Sequence, residues 1–242
     1  MTSSDLWDDA RAARYDEVSA AMFRPEVLDP VVDTLAELAG NGRALELAIG
    51  TGRVAIPLAA RGVDVAGIEL SQPMVDRLHV TMPGLPVVVG DMATTVAPGR
   101  FALVYLVYNT IGNLRTQDEQ SPASRTPPAT SLPGAASSSR WASRPCGAPP
   151  GQSAVPFDLS ADHVAVDTYD VETQEAVSHH YTREDDGSFR YLAHHYRYVW
   201  PAELDLMARL AGMTLERRTA DWHGAPFTGD STAHVSVWRV PG

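Results

Sequence analysis

The sequence predicts an α/β fold in which a mostly parallel sheet carries helices on both faces. Two observations predict it: short apolar runs alternate with segments of helical periodicity, and a glycine loop, Gly50-Thr51-Gly52, follows the first run. The chain has 242 residues, of which 44% are hydrophobic and 20% charged. This length and composition suit one sizeable core with an insertion.

The charge balance and the single cysteine exclude several classes of protein. Thirty acidic residues against nineteen basic ones give a formal charge of −11, whereas proteins that bind nucleic acids neutralise phosphates with Lys and Arg. No apolar run reaches the roughly 20 residues that span a bilayer, and the acidic start does not resemble a signal peptide. Cys146 alone makes no internal disulfide and no Cys-based zinc site. We expect a cytoplasmic protein without a metal and without a nucleic-acid or membrane partner.

The first half of the chain can be divided by periodicity and by stop signals. Scattered apolar positions predict a helical extension over residues 5–23, and residues 26–39 form an amphipathic helix that ends at Gly40. Strands are then expected at 44–49, 63–70, 86–89 and 101–107, with helices at 54–60 and 73–80. Ser71 is a good N-cap for the second of these helices.

The composition changes abruptly at residues 121–150, which hold seven prolines, seven serines and no acidic residue. Such a long irregular segment inside a compact domain is unusual. We hypothesise a compensated frameshift, because reading residues 121–148 one base earlier permits VACFPDAARHLAPGGRFVVEVGVPALRR. That string reads as a helix, a turn and a buried strand, so the chain as written is expected to lack a central strand. The alternative is a true linker.

Regular patterns return after Gly151. Strands are expected at 165–173, 175–183 and 189–200, a helix at 201–211, and final antiparallel strands at 213–219 and 234–240. The resulting organisation is an N-terminal helical cap (1–42), an α/β core (43–120), the irregular segment (121–150), a β insertion (151–200), and a C-terminal helix and strands that complete the core sheet (201–242).

Acidic residues accompany the glycine loop. Glu46 precedes Gly50 by four residues, Glu69 ends the second strand, and Asp91-Met92 follows the third. The loop also matches the dinucleotide pattern G-x-G-x-x-G/A, and Glu69 suits ribose hydroxyls in either case. A carboxylate at Glu46 disfavours a pyrophosphate and favours a cationic ligand, while Asp91-Met92 suits an adenine ring.

At these residues the sequence resembles the class I S-adenosylmethionine-dependent methyltransferases. The matching segments are ALELAIGTGRVAIPLA (44–59), GIELSQPMV (67–75), VVVGDM (87–92) and FALVYLVYNTIGNL (101–114). The resemblance implies the Rossmann-like, doubly wound, mostly parallel sheet of that class, with an N-terminal helical extension and an inserted antiparallel β-hairpin lid. It also implies S-adenosylmethionine as the cofactor, bound by the α/β core at 43–120, and a substrate-covering role for the β insertion at 151–200.

Carried onto this chain, the resemblance implies a set of residues that bind the cofactor. Glu46 and Gly50 are expected near its methionine part, Glu69 at the ribose, and Asp91 and Met92 at the adenine. The remaining members are Gly52 in the loop, Met74 in the following helix, Tyr15 over the cofactor carboxylate or methyl, and Tyr108 and Asn109 on the floor of the site.

Histidines are the candidates for general acid–base catalysis on the molecule that accepts the methyl group. His194 and His195 lie on the strand at 189–200, where successive side chains face opposite sides, and His223 precedes Pro226-Phe227. A histidine with a pKa near neutrality is a suitable general base for a hydroxyl acceptor. A purely structural hairpin with partly exposed histidines is the alternative.

These observations predict a methyltransferase that acts on an O or N atom of a small molecule, such as a natural product, a sugar or a modified amino acid. One face of the hairpin would close the acceptor pocket, and the other would meet solvent or a second copy in a homodimer. Two alternatives stay open at this point: an NAD(P)-dependent oxidoreductase that uses the same glycine loop, and a catalytically inactive relative.

Overall fold

The computed structural model describes residues 15, 19–121, 134–136 and 153–241, with only the backbone described at 134–136 and 153. Its helices are α1 (Pro25–Ala39), α2 (Ala55–Ala60), α3 (Gln72–Thr81), α4 (Gln117–Gln120) and α5 (Pro201–Leu210), with 3-10 turns at Ala20–Phe23 and Thr110–Asn113. Its strands are β1 (Ala44–Leu47), β2 (Val65–Glu69), β3 (Val87–Val89), β4 (Leu103–Tyr105), β5 (Gly134–Ala136), β6 (Ser153–Leu159), β7 (His163–Tyr169), β8 (Glu175–Arg183), β9 (Phe189–Arg197), β10 (Thr214–Thr219) and β11 (Val235–Arg239).

A seven-stranded sheet forms the core, in the order β10-β11-β5-β4-β1-β2-β3. The strands from β5 to β3 are parallel to one another, whereas β11 pairs antiparallel with both β5 and β10. The expected doubly wound α/β fold, with a mostly parallel sheet and antiparallel final strands, is therefore confirmed. The carboxyl ends of β1, β2, β3 and β4 meet at one edge, where open α/β sheets bind ligands.

Local sequence accounts for the helices that flank this edge. The helix α1 buries Leu28, Val31, Val32, Leu35 and Ala39 at helical spacing, whereas Val27 in its first turn is exposed, and Gly40, with a φ of 54°, ends the helix. Ser71 caps α3 as expected, because its hydroxyl accepts a 3.4 Å hydrogen bond from the amide of Met74. These signals are local, so the sequence predicts both helices to within two residues at each end.

The expectation that a strand would be missing beside β4 is wrong. The three residues of β5 occupy that position, and they pair in parallel with Val104 and Tyr105 and in antiparallel with β11. Backbone hydrogen bonds alone can extend a sheet over so short a run, whatever the side chains. Most of the irregular segment, at 122–133 and 137–150, lies outside the described residues, as does most of the predicted extension at 5–23.

A second sheet is antiparallel and has the order β6-β7-β8-β9. The sequence predicted three of its strands but not β6, whose Pro156 and Asp158 interrupt the apolar pattern and flank a shift in register against β7. The structure also starts β7 two residues before the predicted 165–173, and it ends β9 at Arg197, three residues before the predicted end. Among the described residues, none of the helices is long and apolar enough to span a bilayer.

A buried polar network fixes the second sheet to the core. The Arg197 guanidinium, whose side chain is 4% exposed, donates 2.7 Å hydrogen bonds to Glu203 of α5 and to Gln174, and it also bonds Gln120 of α4. The Gln120 amide nitrogen in turn donates to the carbonyls of Ile111 and Leu114. Because the residues of this network bond one another as well as Arg197, the start of β8 and the end of β9 have a defined position beside the core.

Candidate functional site

A cavity of about 490 Å³ opens beside the carboxyl ends of β2 and β3. Its wall contains three of the predicted residues, Glu69, Asp91 and Met92. The other lining residues are Ala48, Ile68, Leu70, Gly90, Asn113, Leu114, Arg115, Thr116, Glu119 and Glu175. The predicted strand-end acids are therefore brought together, although they are far apart along the chain.

Glu69 connects two loops at this cavity. Its Oε2 accepts a 2.8 Å hydrogen bond from the amide of Gly50, and its Oε1 accepts a 2.9 Å bond from the amide of Ser71. Burial raises the pKa of Glu69, and hydrogen bonds from the amides of Ser71, Gly50 and Leu70 act in the opposite direction. A carboxylate offers about four lone pairs, so these three amides leave capacity to accept from a ligand that donates a hydroxyl group.

Asp91 and Met92 form the turn that follows β3. The Asp91 carboxylate accepts a 2.7 Å hydrogen bond from the amide of Ala93, which fixes the turn. Met92 is buried in an apolar cluster that also contains Ile68 and Leu114, and both of these residues line the cavity. The cavity thus combines an apolar surface with an exposed acidic acceptor, a combination suited to a heteroaromatic ring that carries an amino group.

Glu46 lies in β1 and is almost completely buried. Its Oε2 accepts a 3.0 Å hydrogen bond from the hydroxyl of Tyr105 in β4. Burial raises the pKa of Glu46 to about 8, although Tyr105 and the positive charge of Arg53 lower it. An acid buried in an apolar strand is costly without a partner, and the hydroxyl of Tyr105 is a partner of Glu46.

Arg53 is a residue of this region that the sequence analysis missed. Its guanidinium is hydrogen-bonded to Tyr15, lies 6.0 Å from the ring centroid of Tyr108, and acts electrostatically on Glu46. Burial raises the pKa of Tyr15, and Arg53 acts against that rise. Its position directly after the glycine loop was the available signal. Three predicted residues, Tyr15, Glu46 and Tyr108, therefore surround one cation.

The remaining predicted ligands are distributed around this centre. Gly50 and Gly52 have φ values of 59° and 86°, and a Cβ added to Gly50 would point into open space. Asn109 precedes the 3-10 turn at Thr110–Asn113, and its amide nitrogen lies close to Gly112. Met74 is buried in the first turn of α3 and does not line the cavity.

The three candidate histidines do not form one site. His194 stacks on Tyr196 at 6.2 Å between ring centroids, whereas His195 is exposed on the opposite face of β9. His223 is exposed in a turn in which its amide donates to the carboxylate of Asp221. Within the part of the chain that the structure describes, no three His, Cys, Asp or Glu side chains are grouped as a metal site requires.

Comparisons with known proteins place this geometry in a family. Residues 44–124, which span β1 to the end of α4, match the model of a methyltransferase domain. The methyltransferase-like protein YqeM of Bacillus subtilis is 32% identical over 88 residues. That alignment covers 35% of this chain and 36% of YqeM, so the chain matches about a third of this relative's length.

Two solved structures extend the similarity to nearly the whole chain. The CcbJ methyltransferase from Streptomyces caelestis is 32% identical, with a TM-score of 0.71 over 88% of this chain and 89% of CcbJ. CalS10, an amino pentose methyltransferase from Micromonospora echinaspora solved with S-adenosylmethionine bound, is 16% identical, with a TM-score of 0.59 over 88% of this chain and 90% of CalS10. The chain belongs to the class I S-adenosylmethionine-dependent methyltransferases.

Proposed function

We propose that this methyltransferase transfers the methyl group to a nitrogen or oxygen atom of a small molecule, with its cofactor bound across the carboxyl ends of β1 to β4. The observation that carries the proposal is the bridging carboxylate of Glu69, which holds the amides of Gly50 and Ser71 and still faces the cavity. Family membership speaks against the alternative of a dinucleotide-dependent oxidoreductase.

The residues at the cavity fit the adenosine half of the cofactor. The capacity that the three amides leave at the Glu69 carboxylate suits a ribose hydroxyl. Beyond Glu69, Asp91 can accept from an exocyclic amino group, and Met92 belongs to the apolar cluster under the cavity. We assign these three residues to ribose, amino group and ring face respectively.

The residues around Arg53 fit the methionine half. A carboxylate there would receive hydrogen bonds from the guanidinium of Arg53 and the hydroxyl of Tyr15. Glu46 lies close enough to act on Arg53 electrostatically and would offset the positive charge of an ammonium group. The open space at Gly50 leaves room for the chain that joins the two halves.

When bound, the cofactor supplies an electrophilic methyl carbon on a sulfonium sulfur. The part of the protein is to hold the acceptor atom in line with that carbon and to keep water out. Tyr108 and Asn109 follow β4 at the edge of the site. Tyr108 has a positive φ of 64°, and the guanidinium of Arg53 lies over its ring. An amine acceptor needs only to lose its proton to bulk solvent, so no dedicated base is required.

We assign the acceptor side to the second sheet, in keeping with the substrate-covering role predicted for residues 151–200. Two observations support a small acceptor: the charge of −11 disfavours nucleic acids, and CalS10, which shares the fold, is an amino pentose methyltransferase. His194 lies on this sheet beside Tyr196 and would adjoin a bound acceptor, whereas His195 and His223 face away or lie elsewhere.

Calorimetric titration with S-adenosylhomocysteine, with NAD as the control ligand, tests this function. We expect micromolar binding of S-adenosylhomocysteine only, and about a tenfold or greater loss of affinity in Glu69→Ala, because a buried carboxylate that accepts from the ribose is removed. Glu216→Gln is the matched control, since Glu216 is a surface acid paired with Arg239. Equal affinity in the wild-type protein and Glu69→Ala would remove Glu69 from the site, and binding of NAD alone would overturn the proposal.

A further inference from the structure

Four polar side chains meet on one face of the second sheet and form what we call the hydroxyl cluster: Asp167, Tyr169, Ser178 and Tyr196. The Asp167 carboxylate accepts a 2.5 Å hydrogen bond from Ser178 and a 2.9 Å bond from Tyr169. Tyr196 is hydrogen-bonded to Asp167, Ser178 and Tyr169. One carboxylate therefore lies among three hydroxyl groups.

The pairing of the strands explains why these residues share a face. Asp167 of β7 pairs with Ser178 of β8, and Tyr169 and Tyr196 both pair with Ala176. Side chains directly opposite one another in antiparallel strands point to the same side, and so do residues two apart along a strand. The cluster is thus set by the sheet itself and does not depend on a loop.

This face adjoins the part of the core where methyl transfer would occur. A Cβ placed on Gly112 would lie 3.5 Å from the Cβ of Tyr196 and 3.6 Å from the amide nitrogen of Asn109. Asn109 follows β4, at the edge of the proposed cofactor site. The opposite face of β9 carries Arg197, which is anchored in the core by Glu203, Gln174 and Gln120. Tyr196 is therefore the member of the hydroxyl cluster that adjoins the region of Asn109.

The cluster is built to accept hydrogen bonds. Burial, the hydrogen bond with Tyr196 and the negative charge of Asp167 raise the pKa of Tyr169, and burial together with Asp167 raises the pKa of Tyr196 to about 12. Both tyrosines therefore remain protonated, and their hydrogens are directed within the cluster. The carboxylate charge and the oxygen lone pairs that these bonds leave are complementary to a cation with N–H donors.

We propose that the hydroxyl cluster binds the methyl acceptor through an alkylammonium group, so that the substrate is a small amine. This inference rests on the proposed function, because it assigns the acceptor side of the same site. Asp167 supplies the countercharge, and Tyr169 and Tyr196 supply oxygen acceptors that orient the ammonium group. The amine that is bound need not be the atom that is methylated.

The test compares two probes that differ only in the polar group, cyclohexylamine and cyclohexanol. Each is titrated into the full chain, with and without saturating S-adenosylhomocysteine, and binding is followed by ligand-observed NMR. We expect the wild-type protein to prefer the amine by about tenfold, as a hydrogen-bonded charge pair implies. In Asp167→Asn the preference should fall to within about twofold.

Matched variants separate this role from loss of structure or of overall charge. Asp186→Asn removes one negative charge from an exposed loop in which Asp186 bonds the amide of Ser188, and it should keep the preference. Tyr196→Phe should weaken amine binding, whereas Tyr191→Phe, on the opposite face of β9 and bonded to His179, should not. Each variant must retain the thermal transition of the wild-type protein.

The outcomes distinguish the two proposals. Equal binding of the two probes to the wild-type protein, no binding of the amine, or an unchanged preference in Asp167→Asn overturns the acceptor proposal, whatever happens with S-adenosylhomocysteine. A chain that prefers the amine through Asp167 but does not bind S-adenosylhomocysteine contradicts the proposed cofactor site alone.

Discussion

The hydroxyl of Tyr105 donates a 3.0 Å hydrogen bond to Oε2 of Glu46, and the two residues are 1% and 3% exposed. Burial raises the pKa of Glu46 to about 8. At neutral pH the cofactor-free protein therefore carries a mostly uncharged carboxyl group where the proposed function requires a countercharge. Binding of the ammonium group of the cofactor beside Glu46 would favour the charged form of this carboxyl group.

The first prediction is that S-adenosylhomocysteine binding releases protons. Near pH 7 the ammonium group of the ligand should lower the pKa of Glu46, and up to about one proton per site should leave. Calorimetric titrations in phosphate and in Tris, which differ in ionisation enthalpy, measure this number. Glu46→Gln is the control and should bind without the buffer dependence. Identical heats for the wild-type protein in both buffers would contradict the prediction.

The same carboxyl group gives a second prediction, on stability without ligand. Burial raises the pKa of Glu46 from its ordinary 4.5 to about 8, so between these values the native state holds a proton that the unfolded chain has lost. The contribution of Glu46 to the free energy of unfolding is therefore fully present below pH 4.5 and is lost as the pH rises through 8. Urea unfolding at pH 6 and pH 8.5 should show a smaller difference in Glu46→Gln than in the wild-type protein. An equal difference in both proteins would argue against it.

A third prediction concerns His234, whose contribution to the free energy of unfolding changes with pH in the opposite direction. Burial and the nearby charge of Arg218 lower its pKa from 6.5 to about 4. Between these two pH values the unfolded chain therefore binds a proton that the native state does not. Its contribution is present above pH 6.5 and is lost as the pH falls toward 4, on the order of 2 kcal/mol. Urea unfolding at pH 7 and pH 4.5 should reveal a shallower loss in His234→Gln. The exposed His223→Gln is the control and should behave like the wild-type protein.

The Arg197 network supplies the fourth prediction. Arg197→Met leaves Glu203, whose side chain is 14% exposed, without its guanidinium partner. Removing one member of a buried ion pair is costly, so we expect a loss of about 3 kcal/mol in the free energy of unfolding. The surface substitution Arg190→Met removes the exposed pair with Glu184 and should cost less than about 1 kcal/mol. Similar losses for the two variants would show that the network does not hold the second sheet.

A fifth prediction tests the frameshift hypothesis. A chain in which residues 121–148 are replaced by VACFPDAARHLAPGGRFVVEVGVPALRR should unfold at a higher temperature, because its buried-strand pattern offers β4 a longer apolar partner than the three residues of β5. Differential scanning calorimetry of both chains measures the effect. A lower or unchanged unfolding temperature would favour the chain as written.

Strand ends could be predicted from the sequence because they depend on short-range signals. Glu69 and Asp91 each follow an apolar run, and parallel strands bring such positions to one edge. Each predicted core strand was found within three residues of its expected ends, and Ser71 caps α3 as expected.

Long-range partners could not be predicted in this way. Gln120 and Arg197 are 77 positions apart, and nothing local to either residue indicates the other. Arg53 is hydrogen-bonded to Tyr15, and nothing local to the glycine loop indicates that partner. The strand β6 was missed because Pro156 and a register shift hide its alternation, and Asp167 was missed because two of its partners, Ser178 and Tyr196, lie on other strands.

The second sheet is encoded without interruption, since its four strands follow one another from Ser153 to Arg197 with short turns between them. The strand ends proposed to hold the cofactor lie in a different stretch, before residue 115. Evolution could therefore exchange the acceptor half as a single cassette while the cofactor half stays intact. The joint that such an exchange must preserve consists of Gln174 and Arg197 on the cassette and of Gln120 and Glu203 outside it.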